Sequence, residues 1–345
     1  MSQTVSQHAS HDAPPAARLM QMIFGFVTSQ AISVAARLGL ADLLKDGAKS
    51  ADELAQATGT QARPLYRILR ALASVGIFAE DDTGHFRLTP LAEPLRSDAS
   101  SSLRDFSIFI GADWHWRAWG DLFGSAETGQ PAFEKLYGKA YFDYLGENPE
   151  PARVFNDAMT SLSMATSAAV VEGYDFTGIG KLVDVGGGHG LLLSSILEKY
   201  PQMRGVLIDA PSVIAGTKTA IAARGLAGRC DAVEGNFFAS VPAGGDAYIM
   251  KHIIHDWNDE RASTILQNCH RQMKGNGKLL VVEMVIPEGN APSMGKLMDL
   301  EMLVLLHAYE RTEAEYRALF ERSGFRLTRI VPTKSPYGVI EGVRI

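Results

Sequence analysis

The chain has 345 residues, which is enough for two domains and a sizeable core. A net charge of −6 argues against a nonspecific nucleic-acid binder or a protein that binds anionic membranes. Only two cysteines occur, Cys230 and Cys269, so a disulfide framework is not expected, which fits a reducing cytoplasm.

The first residues are polar and carry no signal-peptide pattern. Residues 1–15 lack a basic start followed by an apolar core, so we expect a disordered tail there. The apolar run from Leu19 to Leu44 is broken by Gln21, Gln30, Arg37 and Asp42. These breaks favour a packed helical region over a membrane span. Its apolar start, residues 20–27, is typical of a buried or interface helix.

Residues 16–105 have the outline of a winged helix. A serine cap at Ser50 with Glu53 three residues later opens one helix, and residues 59–72 form another. Two short strands, near residues 76–80 and 84–89, flank an Asp-Asp-Thr-Gly turn. The outline predicts a mainly helical winged-helix domain.

Such a domain raises the hypothesis of a DNA-binding regulator. Arg63, Arg67 and Arg70 lie on the second helix and could meet phosphates. The alternative is that they are solvated or pair with acids of a partner chain. We favour that alternative, because few base-reading side chains accompany them and the chain is acidic. The domain is then a dimerisation module.

The remaining residues, 106–345, are expected to form a second domain. An aromatic stretch, Ser107–Leu145, opens it and includes Trp114, Trp116, Trp119, Phe133, Tyr141 and Tyr144. Most of these rings are interpreted as interdomain core. Some could stack on a flat aromatic substrate.

A glycine loop is the most informative motif. The apolar run from Leu182 leads into glycines at 186, 187, 188 and 190, and a helix is predicted over residues 191–200. A second short strand, residues 205–210, carries Asp209 near its end, where a carboxylate can accept two hydrogen bonds from a ribose. Strand, glycine loop and helix together indicate a ligand site in an α/β fold.

The spacing of the glycines limits the class of ligand that this loop can bind. Gly-x-Gly-x-Gly differs from the dinucleotide pattern Gly-x-Gly-x-x-Gly, and no P-loop lysine follows. A tight loop suits a ligand without a pyrophosphate, such as S-adenosylmethionine. A tight structural turn is the alternative.

The rest of the chain alternates strands and helices. Strands are expected near residues 228–234, 246–254, 277–284, 325–331 and 337–344, with helices over 260–273 and 311–322. This alternation predicts a doubly wound, mainly parallel sheet, whose ligands lie beyond the carboxyl ends of the strands. Asp209, Asn236, His255 and Glu283 all fall at or just after such ends.

The segment from Met250 to Asp259 follows a strand and holds a histidine, an acid and a tryptophan in a row. His255 is therefore a candidate general base, although a lone histidine is more often structural. His252 is expected inside the strand, in a structural role.

Together these motifs resemble the class I S-adenosylmethionine-dependent O-methyltransferases of the plant caffeate type, which bacteria also use on aromatic secondary metabolites. The resemblance extends over nearly the whole chain and rests on residues 182–190, Asp209, residues 235–238, residues 251–259, Glu283 and Glu310-Arg-Thr. It implies a Rossmann-like methyltransferase domain and a winged-helix dimerisation domain. It also implies a homodimer that binds S-adenosylmethionine and a hydroxylated aromatic acceptor.

The resemblance also implies roles for single residues. His255 falls on the catalytic base, and Glu283 and Glu310 fall on the two acids beside it. The donor would be bound by Asp184, Gly186, Gly187, Gly188, Asp209, Asn236, Phe237, Lys251 and Trp257. The acceptor would meet Met159, Met302 and Asp256. No metal is implied, and no cluster with ligand spacing is found in the sequence.

Three departures from the family pattern stand out. Asn236 occupies a position where many members have aspartate, although its amide oxygen can still accept a hydrogen bond from the adenine. His189 replaces a threonine common in plant members. A loop before Glu310 is shorter, which implies a remodelled acceptor pocket.

Other functions stay open at this point. The same scaffold supports N-methylation, or decarboxylation and hydroxylation assisted by S-adenosylmethionine. A regulator that senses S-adenosylmethionine is a hypothesis from a different class. The set of His255, Glu283 and Glu310 favours O-methylation. The cysteine content and the negative charge, in turn, favour a cytoplasmic enzyme with no nucleic-acid or membrane partner.

Overall fold

The computed structural model describes residues 14–345, so the predicted disordered tail lies outside the described residues up to residue 13, and Pro15 already begins a helix. The chain divides into two compact units. The first runs to Trp116 and takes in Val154–Ser161, and the second contains Arg117–Arg153 and Leu162–Ile345. The domain limits drawn from the sequence, 16–105 and 106–345, stay a prediction.

The first unit is mainly helical. In chain order it contains α1 (Pro15–Ile23), α2 (Gly25–Arg37), α3 (Leu40–Leu44), β1 (Lys49–Ser50), α4 (Ala51–Thr58), α5 (Ala62–Ser74), β2 (Phe78–Glu80), β3 (His85–Leu88) and α6 (Arg104–Ile110). Helix α7 (Asp113–Trp119) crosses into the second unit. The predicted capping box is present, because Ser50 Oγ accepts from Glu53 N and the Glu53 carboxylate accepts from Ser50 N. The strands pair antiparallel in the order β1-β3-β2, which confirms the winged-helix outline.

The apolar side chains of α1 and the start of α2 are exposed in the single chain. None of the residues of α1 is buried, and Met22 is 70% and Phe26 56% exposed. The stretch Pro15–Arg37 is long and apolar enough to cross a membrane, with a mean hydropathy of 1.5, although core helices of soluble proteins and signal sequences also meet that criterion. An exposed apolar helix in a single chain fits the interface alternative rather than the buried one.

The second unit is an α/β layer structure. It contains α8 (Leu122–Thr128), α9 (Ala132–Tyr137), α10 (Tyr141–Glu147), most of α11 (Pro149–Gly173), β4 (Lys181–Val185), α12 (Leu191–Lys199), β5 (Arg204–Asp209), α13 (Pro211–Ala223), β6 (Cys230–Glu234), β7 (Ala247–Lys251), α14 (Asp259–Gln272), β8 (Lys278–Glu283), β9 (Val285–Ile286), α15 (Met294–Leu305), β10 (Arg311–Thr312), α16 (Glu313–Arg322), β11 (Phe325–Pro332) and β12 (Gly338–Arg344). Its seven-stranded sheet has the order β11-β12-β8-β7-β4-β5-β6.

Five adjacent strands, β8-β7-β4-β5-β6, are parallel, as the alternation of strands and helices predicts. β12 pairs antiparallel with both β8 and β11, which adds a hairpin at one edge. The central strands are apolar on both faces, because helices cover both. One core cluster packs α12 and α13 on the sheet, and the other packs α14 and α16 on it.

Two sequence-based expectations need correction. His252 lies just after β7, not inside it, and its backbone φ is +57°, the left-handed region that few non-glycine residues occupy. The helix expected from Arg311 begins at Glu313, because Thr312 caps it and Arg311 pairs with Val285 in a two-stranded sheet. The aromatic stretch also divides, since Trp114 packs on Phe109 in the first unit while other rings lie in the second.

A buried carboxylate, Glu341, ties three elements of the second unit together. It accepts from the Tyr174 hydroxyl, from Arg329 at 3.0 Å and from Lys278 at 3.3 Å. Burial would raise its pKa, but the Tyr174 and Arg329 hydrogen bonds outweigh burial and lower the pKa to about 2.

We expect Glu341→Gln to lower the free energy of unfolding by about 1–3 kcal/mol at pH 7. Because the pKa is lower in the folded chain than in the unfolded one, the contribution of the charge is present above about pH 4.5 and is lost as the pH falls toward about 2. Thermal unfolding at pH 7 and at pH 3 measures the difference. An equal loss of Tm at both values would contradict this account.

Candidate active site

The glycine loop lies at the carboxyl end of β4 and has the backbone that its sequence predicts. Gly186, Gly188 and Gly190 have φ values of +70°, +56° and +75°. A Cβ at Gly186 would collide with Ile253, whereas one at Gly188 would meet no atom within 4 Å. The loop therefore needs glycine at 186 for a close approach as well as for its conformation.

Asp184 lies beneath this loop and is 1% exposed. Burial raises the pKa of its carboxyl to about 7, against the effect of Lys251. Within the described residues its Oδ2 accepts no hydrogen bond. A buried carboxylate oxygen without a partner fits a cationic ligand group, such as the α-ammonium of a bound amino acid.

Asp209 ends β5 and borders the same loop. Its Oδ2 accepts from Gly188 N at 2.8 Å and its Oδ1 accepts from Ala210 N at 2.7 Å. Burial raises its pKa, while these two hydrogen bonds and the neighbouring His189 lower it. Each oxygen of a carboxylate has a further lone pair, so both can still accept from a ribose diol.

Aromatic side chains lie beside the loop. Phe237 and Phe238 pack at 5.0 Å between ring centroids, and Phe238 packs edge-on to Trp257 at 4.7 Å. The Arg261 guanidinium covers Trp257 at 4.4 Å. Trp257 Nε1 is buried and, in the part of the chain that the structure describes, has no acceptor. A flat ring with acceptor nitrogens, such as adenine, would satisfy that group.

Asn236 also lies here, but its Oδ1 already accepts from Phe238 N at 2.9 Å. The predicted contact between this oxygen and adenine would use its second lone pair, and stays a prediction.

Lys251 ends β7, and its side chain turns inward. Its Nζ donates to Ser163 Oγ at 2.6 Å. Burial lowers the pKa of Lys251 to about 8, while Asp184 and Glu283 act in the opposite direction. The resemblance implies a contact between the donor and the backbone of Lys251, and that contact stays a prediction.

His255 lies on a short 3-10 turn, Ile254–Asp256, between two buried carboxylates. Its Nδ1 is 2.7 Å from Glu310 Oε1 and 3.6 Å from Glu283 Oε2. Glu283 Oε1 also accepts from Ile253 N and Ile254 N, at 2.9 and 3.0 Å. Since a carboxylate only accepts, Nδ1 carries the proton in this hydrogen bond. When the ring is neutral, Nε2 is thus the basic nitrogen.

Nearby carboxylates raise the pKa of His255. Burial alone would lower the pKa of His255, but Glu283, Glu310 and Asp256 outweigh it and raise the pKa to about 10. Burial raises the pKa of Glu283, opposed by the charge on His255. The two acids therefore favour the protonated form of the His255 ring.

The other nitrogen of His255, Nε2, lies near a third acid, Asp256. Asp256 Oδ1 is 3.5 Å from Nε2, and burial raises the pKa of Asp256 to about 6. The buried Tyr141 is close enough to Glu301 and Asp256 for both charges to raise its pKa further. Glu301 accepts from Trp119 Nε1 at 2.8 Å and precedes Met302, which is 6% exposed.

Met159 belongs to the first compact unit, where it lies in α11. Its predicted place in the acceptor pocket stays a prediction, as do those of Met302 and Asp256.

The three groups His255, Glu283 and Glu310 also lie close enough to be considered as metal ligands. The distance of 2.7 Å between Nδ1 and Oε1 is that of a hydrogen bond. Two ligand atoms on a tetrahedral zinc would lie about 3.3 Å apart. The geometry thus suits a proton between the two atoms better than a metal, and the absence of a metal from the reaction stays a prediction.

Sequence reasoning missed two side chains of this site. Ser163 on α11 binds Lys251, and Arg311 binds the turn that carries His255. Arg311 stood next to a predicted site residue, but a charged side chain gives no sequence signal that it is fully buried.

Family models match most of the chain. An O-methyltransferase dimerisation domain matches residues 20–98, and an O-methyltransferase domain matches residues 116–326.

Individual relatives agree with these domains. A phenazine O-methyltransferase of Lysobacter antibioticus is 46% identical over 328 residues, covering 95% of this chain and 96% of that protein. A phenazine-1-carboxylate N-methyltransferase of Pseudomonas aeruginosa is 33% identical over 316 residues, covering 92% and 93%. A crystal structure of a neocarzinostatin-biosynthesis O-methyltransferase with S-adenosylmethionine and 2-hydroxy-5-methyl naphthoic acid has a TM-score of 0.80 at 32% identity, covering 92% and 96%.

Proposed function

The chain belongs to the family of S-adenosylmethionine-dependent O-methyltransferases with a dimerisation domain, and we propose that it methylates a hydroxyl of an aromatic secondary metabolite, with His255 as the base. The observation that carries this proposal is the buried hydrogen bond of 2.7 Å between His255 Nδ1 and Glu310. Because Nδ1 donates to Glu310, Nε2 is the ring nitrogen left to accept a proton.

The donor site fits S-adenosylmethionine. Asp184 offers an unpartnered carboxylate oxygen to the α-ammonium, and Asp209 offers its carboxylate to the ribose hydroxyls. Phe237 and Trp257 would pack against the adenine. When bound, S-adenosylmethionine supplies an electrophilic methyl group on a sulfonium. The backbone of Gly186–Gly188 would hold the amino-acid part of the donor.

Glu283 and Glu310 raise the pKa of His255 and so make it a stronger base toward the acceptor hydroxyl. A phenol has a pKa of about 10, so its phenolate costs about 4 kcal/mol at pH 7. Because the acids raise the pKa of His255 toward that of the phenol, proton transfer to Nε2 is nearly balanced within the complex that holds one proton between Nε2 and the acceptor oxygen. Glu283 and Glu310 stabilise the resulting imidazolium and fix the orientation of its ring.

Methyl transfer to oxygen is tested with a methyl-labelled donor and matched acceptors. Hydroxyphenazines and hydroxynaphthalenes would be compared with their amino counterparts, because one relative is an N-methyltransferase. We expect label on the oxygen of hydroxyl acceptors and none on the amines. Label on nitrogen alone would replace O-methylation with N-methylation, and no label on any acceptor would contradict the proposed substrate class.

The pH dependence of kcat/KM should have two limbs. The productive complex holds one proton between Nε2 and the acceptor oxygen, so the rate rises until the lower of the two pKa values and falls above the higher. For an acceptor whose pKa lies about three units below that of phenol, we expect a plateau from about pH 7 to the His255 pKa of about 10.

Glu310→Gln should move the alkaline limb to lower pH by about one unit or more, because a charge that raises the His255 pKa is lost. The groups that face His255 are Glu283, Glu310, Asp256 and, at 5.7 Å between ring centroids, the neutral His252. The acidic limb should follow the acceptor and stay unchanged in the variant. An alkaline limb that does not move would contradict the assignment of that limb to His255.

We also propose a cytoplasmic homodimer without a nucleic-acid or membrane partner. The apolar residues of α1 and the start of α2 are the surface available for pairing, and the dimerisation domain covers most of them. Met22→Glu with Phe26→Glu should shift the protein from dimer to monomer in size-exclusion chromatography with light scattering. Burial of each such side chain contributes about 1.5–3 kcal/mol.

Ile345→Glu, at an exposed residue of the C-terminus, is the matched control and should remain a dimer. A native chain that is monomeric at micromolar concentration would contradict the dimer. Partition into lipid vesicles instead would favour the membrane alternative for residues 15–37.

A further inference from the structure

Arg311 is the one buried arginine among residues 14–345, with 0% of its surface exposed, and it takes no part in the proton transfer proposed for His255. Its guanidinium reaches the turn that carries His255 from both sides. Nη1 donates to Ile254 O at 3.0 Å, and Nη2 donates to Trp257 O at 2.8 Å. These carbonyls belong to the residue before His255 and to the second residue after it, so the guanidinium fixes the backbone that aims the imidazole.

The backbone of Arg311 joins the two acids of the site. It follows Glu310 directly, and it pairs with Val285, two residues after Glu283, in the parallel β9·β10 ladder. One residue is thus linked to all three catalytic candidates: to Glu310 by the chain, to Glu283 by strand pairing and to His255 by its side chain.

The guanidinium is itself held in place. Asp259 Oδ1 accepts from Nε at 3.1 Å and from Nη2 at 3.0 Å, and the Tyr309 ring lies 4.4 Å from the guanidinium carbon. A planar fork of donors can serve two carbonyls and one carboxylate at once, which a lysine ammonium cannot reproduce. Asp259 also accepts from Arg322 at 2.9 Å on its outer oxygen, Oδ2.

We propose that Arg311 is a positioning residue for methyl transfer, which holds the turn of His255 in register with Glu310 through the carbonyls of Ile254 and Trp257. The inference rests on the proposed function, because it assigns the reaction to His255. Arg311 also holds the backbone of Trp257, an expected adenine contact, whereas Asp209 and Asp184, which are expected to bind the ribose and the α-ammonium, receive no hydrogen bond from it. The effect on the base is therefore expected to exceed the effect on donor binding.

The test compares Arg311→Met, Arg311→Lys and the control Arg322→Met in the full-length enzyme. We expect kcat to fall about 100-fold in Arg311→Met and about 10-fold in Arg311→Lys, the range of a positioning loss near a base. The Kd for S-adenosylmethionine should change far less than kcat, because Arg311 touches the donor site only through the backbone of Trp257. The alkaline limb of kcat/KM should move to lower pH as the contact with Glu310 loosens. Arg322→Met removes the outer arginine on Asp259 and should leave all three quantities unchanged.

Asp259→Asn keeps the experiment decisive if the Arg311 variants fail to fold. It weakens the anchor of the guanidinium at a half-buried position, and a fall in kcat of about threefold or more with unchanged donor binding would support the proposal. The proposal would be overturned if Arg311→Met kept the wild-type kcat and the wild-type pH limbs. If only Asp259→Asn folds, the same result in that variant would overturn it. A loss of donor binding equal to the loss of kcat would also overturn it, since Arg311 would then support the whole fold. Absence of methyl transfer by the wild-type enzyme would instead refute the proposed function.

Discussion

Replacement of His255 by alanine is expected to lower kcat by about 10²–10⁴-fold, the contribution of a positioned general base. The variant loses the group that accepts the acceptor proton, and the acid pair of Glu283 and Glu310 then has no imidazolium to stabilise. The Kd for S-adenosylmethionine should change little, because the residues expected to bind the amino-acid part and the ribose of the donor lie at the ends of β4 and β5. Initial rates with labelled donor, together with calorimetric titration of the donor, measure both quantities.

His85→Ala is a matched control for this variant. His85 lies in the hairpin of the first unit, where its Nδ1 is 2.8 Å from Thr83 Oγ1, and its loss should leave kcat unchanged. A His255→Ala enzyme with at least half of the wild-type kcat would contradict the role of His255 as base. So would a kcat that falls only in proportion to a loss of donor binding.

Replacement of Asp209 by alanine is expected to weaken donor binding about 100-fold. Two hydrogen bonds from a ribose to a charged carboxylate are together worth about 3 kcal/mol, which corresponds to this factor. The variant also leaves Gly188 N without its acceptor, so the glycine loop loses a support. Because donor binding and not proton transfer is impaired, kcat at saturating donor should fall far less than the affinity.

Glu234→Ala is the matched control for Asp209. Glu234 is an exposed acid at the end of the next strand, directly opposite Asp209 in the ladder of β5 and β6. Its removal should change the donor Kd by less than twofold. Equal donor affinity in wild type and Asp209→Ala would contradict the donor site at the end of β5.

Much of the fold could be predicted from local patterns. Apolar runs that alternate with helical periods indicate a parallel sheet, and the glycines at 186, 188 and 190 indicate the left-handed turns that the loop adopts. The cap at Ser50 marks the start of α4 for the same local reason. The strand order, with the β11–β12 hairpin at one edge, depends on long-range pairing that no local pattern contains.

The candidate site was predicted less completely. A histidine after a strand suggested His255 from the residues alone, but its pairing with Glu310 spans 55 positions and came from the family resemblance. Arg311 and Ser163 were missed because burial of a polar side chain depends on which distant backbone groups need a donor or acceptor. His252 was misplaced because the strand ends at Lys251, three residues earlier than expected, where His252 takes a positive φ. Few non-glycine residues adopt such a conformation, and the local sequence does not indicate it.

The central claim is that Nε2 of His255 receives the proton of the acceptor hydroxyl. A crystal structure of the protein with S-adenosylhomocysteine and a phenolic acceptor tests it most directly. We predict that the acceptor oxygen lies about 3 Å from Nε2, with Nδ1 still bonded to Glu310. An acceptor oxygen more than about 6 Å from Nε2, or one bonded to a different basic group, would contradict the claim.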